Sequence, residues 1–323
     1  MDKLEERQVV EMVFGSKPNI SIEGSECPDF ICRVPGNIEF GIEVTDFFLS
    51  ESDARLMRIP GYRLELLKSK SYRHKDDKQG VRLEKIIYRS KNTGEEREVD
   101  AIIRESHTID DVLSRVRASI ESKTGKAIGY STDITDLIIR DVESIARFEN
   151  IQDLIRAIYR TKMCDAVLKQ GFREIYLVTT NNTDWVCVPL KANLFVGEVL
   201  KLQRLFREYY GSKIESFTPG KYLVELARHL VSRFGTIEYE VPEEENPRLI
   251  YGSVGVGYCE NQGLEIFDVS FDGTTGRKVV EFDDRGDVEL NEFVRAEVAA
   301  MFACAPIFFP AIEAKSSNDT KET

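Results

Sequence analysis

The chain has 323 residues, a formal net charge of −12, 42% apolar and 31% charged residues. This usage excludes wholesale disorder, collagen-like repeats and a coiled coil, and the length suggests two domains or one large one. No apolar run approaches the ~20 residues a bilayer span needs, and Asp2 to Arg7 is rich in acids and bases with no apolar signal core, so the expectation is a cytoplasmic protein without a membrane partner.

The charge is unevenly spread. From Ala54 to Glu98 there are 13 Lys and Arg against 7 Asp and Glu, a local +6 on a body that carries −18. A basic segment of this kind can meet a phosphate backbone locally although the whole chain is acidic. The six cysteines, at 27, 32, 164, 187, 259 and 304, form no C-x-x-C pair, and His74, His107 and His229 are scattered. A zinc site is not expected.

The first predicted element is a helix from Asp2 to about Phe14, with Val9, Val10 and Val13 as its apolar stripe. Glu6 precedes these by three, four and seven places and lies on the same face. Two alternating segments follow, Pro28 to Val34 and Ile38 to Phe47, joined by Pro35-Gly36-Asn37, and they read as a hairpin. Phe30, Cys32 and Val34 share one face of the first strand, and Phe40, Ile42 and Val44 one face of the second. Asp29, Glu43 and Thr45 point the other way.

Residues 48–106 show no clean period and read as a basic insertion, with helical pieces over about Ser52 to Leu67 and a mobile middle around Arg73 to Gln79. Thr108 caps a helix whose face carries Val112, Val116, Ser119, Ile120 and Lys123, with Lys126 just past it. A buried strand over Thr135 to Ile139, a helical stretch from Val142 to Lys169, and strands over Arg173 to Thr179 and Trp185 to Leu190 complete an α/β segment. Asp133, Asp136 and Asp141 are expected to cap and to face solvent.

After residue 190 the pattern becomes two amphipathic helices, ending at Gly211 and Gly235, then four strand-like runs beginning at Thr236, Leu249, Leu264 and Lys278. A last helix is expected from Val288 to Phe302. Gly252-Ser253-Val254-Gly255-Val256-Gly257 lacks the Lys-Ser/Thr of a P-loop and no helix start follows, so it reads as a glycine-kinked strand. The expected organisation is a domain over 1–190, an α+β accessory module over 191–313 and a disordered tail over 314–323.

Chemistry concentrates in Pro28-Asp29, thirteen residues, then Glu43-Val44-Thr45. Asp29 and Glu43 project from neighbouring strands, and Glu6 is placed to reach the same edge. Carboxylates gathered in this way repel one another unless protons or a cation compensate. Mg²⁺, a hard cation with oxygen ligands, is the natural occupant.

A helix bearing Glu, a Pro-Asp-Phe strand, a Gly-Ile-Glu-Val-Thr strand, then helix and strand, resembles the PD-(D/E)XK nuclease superfamily over about residues 1 to 190. The resemblance implies a restriction-endonuclease-like fold, an α/β core with a mixed central sheet flanked by helices. It further implies a nuclease, endonuclease before exonuclease, cleaving DNA before RNA with Mg²⁺ or Mn²⁺, as in bacterial genome defence or phage-related DNA processing. Asp29 and Glu43 would be the metal ligands and Glu6 a supporting acid.

Thr45 departs from the pattern, since the superfamily's lysine should stand there. The sequence is similar to a subgroup with an IEVT second strand and the lysine moved to a following helix, which points to Lys123 or Lys126. The alternative is that these lysines merely favour a helix C-terminus. Thr45 and the acidic total charge also leave open a nuclease-like module that binds nucleic acid or a protein partner without cutting. The C-terminal module would then serve a partner, a homodimer contact or nucleic acid.

Overall fold

The computed structural model describes residues 3–15, 19–35, 38–91, 94–104, 108–127, 129–142, 156–158, 163–181, 184–211, 217–241, 247–259, 263–269, 278–279 and 312–314. The fold is α/β, with a mixed central sheet flanked by helices. Seven strands lie in the order β1-β2-β3-β6-β7-β8-β14: Ser21–Gly24, Phe30–Val34, Ile38–Phe47, Thr135–Asp141, Ile175–Asn181, Asp184–Pro189 and Ile312–Ala314. The β3–β6 and β6–β7 pairs are parallel and the other four antiparallel.

Alternation along β3 decides what covers each face. Phe40, Ile42 and Val44 pack with Val9, Val10, Val13 and Phe14 of helix α1 (Lys3–Phe14). Phe14 meets the rings of Phe40 and Tyr176 edge-on, with centroids 5.7 and 5.4 Å away; such pairs contribute about 0.5–1.5 kcal/mol beyond area burial. The opposite face is covered by α5 (Ile109–Ala127), α6 (Met163–Leu168) and α7 (Leu190–Tyr210). Helix α5 begins with a reciprocal cap: the Thr108 hydroxyl accepts from Asp111 N (3.3 Å) and the Asp111 carboxylate accepts from Thr108 N (2.9 Å).

The same apolar cluster continues through α7 and α8 (Pro219–Phe234) into a second, antiparallel sheet. Its strands run β12-β11-β10-β9-β13: Gly263–Asp268, Val254–Cys259, Arg248–Tyr251, Glu238–Glu240 and Lys278–Val279. The boundary expected at residue 190 falls where β8 runs directly into α7. Buried Glu174 ties the two parts together there. Its carboxylate accepts from the amides of Lys191 (2.8 Å) and Ala192 (3.0 Å) at the start of α7, and from the Ser253 hydroxyl (2.7 Å). Burial pushes the Glu174 carboxyl up, and these donors oppose the shift.

Several expectations change. Residues 48–106 contain α2 (Glu51–Arg58), α3 (Tyr62–Ser69), α4 (Asp77–Gly80) and a two-stranded hairpin, β4 (Val81–Arg89) with β5 (Glu96–Arg104). The hairpin is exposed along most of both faces, so burial imposes no alternation on its sequence. The stretch expected to be mobile holds Asp77, which is fully buried between Arg55 and Tyr62.

Asp136 and Asp141 do not face solvent. Asp136 is buried against Arg173 (2.5 and 3.0 Å), and Asp141 accepts from the Thr179 hydroxyl (2.9 Å). The glycine-rich run is not one strand. Tyr251 pairs with Val254, and Gly252-Ser253 forms a two-residue turn. Gly252 has φ +61°, and a Cβ there would fall 2.6 Å from the Arg173 carbonyl, so no other residue suits it. Ala314, expected in the tail, belongs to β14. The helix expected over Val288 to Phe302 lies outside the described residues, as does most of the stretch from Val142 to Lys169.

Among the described residues, no helix is long and apolar enough to cross a membrane.

Candidate active site

Carried one residue beyond the Phe30↔Ile42 pair, the β2–β3 register sets Asp29 opposite Glu43. Asp29 is not a free side chain: its Oδ2 accepts from the Val44 amide (2.9 Å), which seats the carboxylate at the foot of the hairpin. Its Oδ1 is 3.1 Å from Lys3 Nζ, and the same ammonium is 3.2 Å from Glu6 Oε2. Lys3 and Glu6 are three residues apart on α1, so one helical face delivers both. Burial lowers the Lys3 ammonium, but Asp29 and Glu6 outweigh it and its affinity for the proton rises. Glu6 Oε2 is buried and, its ion pair with Lys3 apart, makes no hydrogen bond of good geometry.

Glu43 faces α5 and is buried. Lys123, on the last turns of α5, places Nζ 2.5 Å from Glu43 Oε1. Lys126 lies on the same helix but is exposed; its carbonyl accepts from Gly129 N (3.0 Å), and its ammonium makes no hydrogen bond or ion pair among the described residues. Of the two lysines singled out from the sequence, the fold therefore brings Lys123 to Glu43 and leaves Lys126 in solvent.

A glycine makes the assembly possible. Gly41 N donates to the Ile134 carbonyl (2.8 Å), and a Cβ on Gly41 would lie 2.4 Å from both Pro28 Cγ and Thr132 Oγ1. The loop after α5 thus closes over β3 beside Asp29. It is fastened to Cys27, whose carbonyl accepts from Ser131 N (3.3 Å) and Ser131 Oγ (3.1 Å).

That loop also brings in Tyr130, to which sequence reasoning gave no role. Its hydroxyl is buried and lacks a hydrogen bond of good geometry, yet burial first, then the Glu43 carboxylate, and more weakly Asp29, push the phenol's pKa up. Asp29 and Glu43 therefore act on one buried hydroxyl. Lys3 was also missed, although its spacing from Glu6 was a signal.

Among the described residues no group of three or more His, Cys, Asp or Glu is spaced to cage a metal. The donor set fits the other common arrangement for Mg²⁺, one or two carboxylates with water and substrate phosphate completing the shell. Asp29 and Glu43 are the two that could serve. Glu6 shares the Lys3 ammonium with Asp29.

Below this pair, the end of β3 opens into a cleft of about 430 Å³ between α2 and α5. Thr45 and Lys123 both line it. The basic insertion contributes less free charge than its composition suggests: Arg55, Lys70, Arg73, Lys85 and Arg97 all pair with acids of that region.

Comparison of the chain with protein-family models, with curated proteins and with solved structures returned no match.

Proposed function

We propose that the chain is a metal-dependent nuclease of the restriction-endonuclease-like fold, an endonuclease acting on DNA before RNA. The observation that carries this is the Lys123–Glu43 contact. Thr45 cannot supply an ammonium from the strand, and the following helix delivers one to the neighbouring carboxylate instead. Asp29 and Glu43 would hold Mg²⁺, which when bound polarises phosphate and activates water. Lys123 would hold a proton at Nζ beside the attacking water and the charged phosphate oxygens. Glu6 and Lys3 would fix the Asp29 carboxylate, and Tyr130 would offer its hydroxyl to whatever occupies the space beside Glu43.

One observation favours a second reading, a module that binds nucleic acid without cutting it: both carboxylates already have a cation, Lys3 on Asp29 and Lys123 on Glu43. Hydrolysis of supercoiled plasmid and of labelled single strands separates the two. Mg²⁺- or Mn²⁺-dependent cleavage that EDTA stops, and that Asp29→Asn and Glu43→Gln both lose by ~10²-fold or more, supports the nuclease. Retained binding with no cleavage under either metal supports the module.

A further inference from the structure

The α2–α5 cleft is built by two facing stripes. On α5, Arg115, Ala118, Ser119 and Ser122 recur at helical spacing, and on α2 Glu51, Ala54 and Arg58 do the same. Alanines and serines where the helices face each other leave the space unfilled. Thr45, Asp46 and Phe48, from the end of β3, form the floor.

The charges in the cleft are unequal in availability. Asp46 is already bound by Arg140 (2.8 Å), and Lys123 is committed to Glu43. Arg58 is half in solvent, has a single long ion pair among the described residues, to Asp46 (3.4 Å), and lies over the Phe48 ring at 4.9 Å. Arg115 is exposed and makes no ion pair among the described residues. Two acids share the lining, Asp46 and Glu51, and Asp46 is already occupied by Arg140. The volume falls within the range of ligand sites, but such sites are mostly apolar; this lining has four hydroxyls, two guanidinium groups and the Lys123 ammonium against the carboxylates of Asp46 and Glu51, a mixture that suits an anion with a sugar attached. Arginine binds phosphate oxygens through two parallel N–H donors.

We infer that this cleft takes the phosphodiester backbone of a nucleic-acid strand, with Arg58 and Arg115 contacting phosphates next to the one presented at Lys123. The inference rests on the site proposed above, because Lys123 lines both. It names a strand path that the carboxylate pair does not itself define.

The test measures binding, not cleavage. Labelled single-stranded and duplex oligonucleotides are titrated in EDTA over a range of salt, with wild type, Arg58→Gln, Arg115→Gln, the double variant, and Lys169→Gln as an exposed control in the turn after α6. Each cleft arginine is expected to lower the steepness of log K against log salt by about 1, and the double variant by about 2, while Lys169→Gln leaves it unchanged. Unchanged slopes in the double variant, or no binding by wild type at low salt, overturn the inference. Competition by a nucleoside monophosphate at concentrations matching the strand's own affinity also overturns it, since it would show a mononucleotide pocket. Weakened binding in the arginine variants, together with a wild type that cuts nothing, leaves the cleft standing and removes only the nuclease.

Discussion

Lys123 Nζ lies 2.5 Å from Glu43 Oε1 across eighty positions of sequence, and both side chains are largely shielded from water. A pair of this kind is costly to half-remove, because the remaining charge stays buried without its partner. Lys123→Met alone should therefore cost more stability than Lys123→Met with Glu43→Gln adds to Glu43→Gln. Urea unfolding of the four proteins should give a coupling of about 0.5–3 kcal/mol. Additive single effects would mean that the contact carries no energy.

The same substitution separates the two lysines in function. Lys123→Met should lower metal-dependent hydrolysis by ~10²-fold or more, the range for a positioned acid–base group, while Lys126→Met stays near wild type. Thr45→Lys in the Lys123→Met background should recover part of the loss, because Thr45 and Lys123 face one cleft. Single-turnover rates are the measure, and equal rates for Lys123→Met and wild type would remove the lysine from the chemistry.

Gly41 is set by space, since it lies under Pro28 and Thr132. Gly41→Ala should destabilise by about 1–3 kcal/mol, as overpacking does, and should displace Asp29 along with Pro28. A thermal melt within error of wild type would contradict the close approach.

Asp77 gives a pH dependence of known sign. Burial would raise its carboxyl, but hydrogen bonds from Arg55, Tyr62 and Ser52 outweigh this and hold it below the ordinary value. Its contribution is thus complete above the unfolded value of about 3.9 and is lost as pH falls through the lower folded value. Asp77→Asn should cost up to about 3–5 kcal/mol at neutral pH, less what solvent restores to Arg55. Below about pH 4 the melting curves of variant and wild type should converge. A constant gap down to pH 2 would show that the carboxylate charge is not what matters.

How far the sequence reached follows from where burial acts. The β2–β3 hairpin was legible because one face of each strand is packed, and the cap of α5 because Thr108 and Asp111 lie three residues apart. The β4–β5 hairpin was not, because water on both faces leaves no alternation to read. Asp136 and Asp141 misled for the opposite reason: their partners Arg173 and Thr179 are 37 and 38 residues away, and spacing says nothing about contacts made across a sheet. That Asp29 comes to lie opposite Glu43 was readable from the two strands and their turn. The choice of Lys123 over Lys126 needed the rotation of α5 against β3, and Tyr130 needed the loop that Gly41 admits.

The most direct test is a crystal structure with Mn²⁺ soaked in, read by anomalous scattering. One Mn²⁺ is expected, bound to both Asp29 and Glu43, with Lys3 and Lys123 drawn away from direct contact with the carboxylate oxygens that face it. Salt bridges left intact at both carboxylates, with no anomalous peak between them at saturating Mn²⁺, would contradict it.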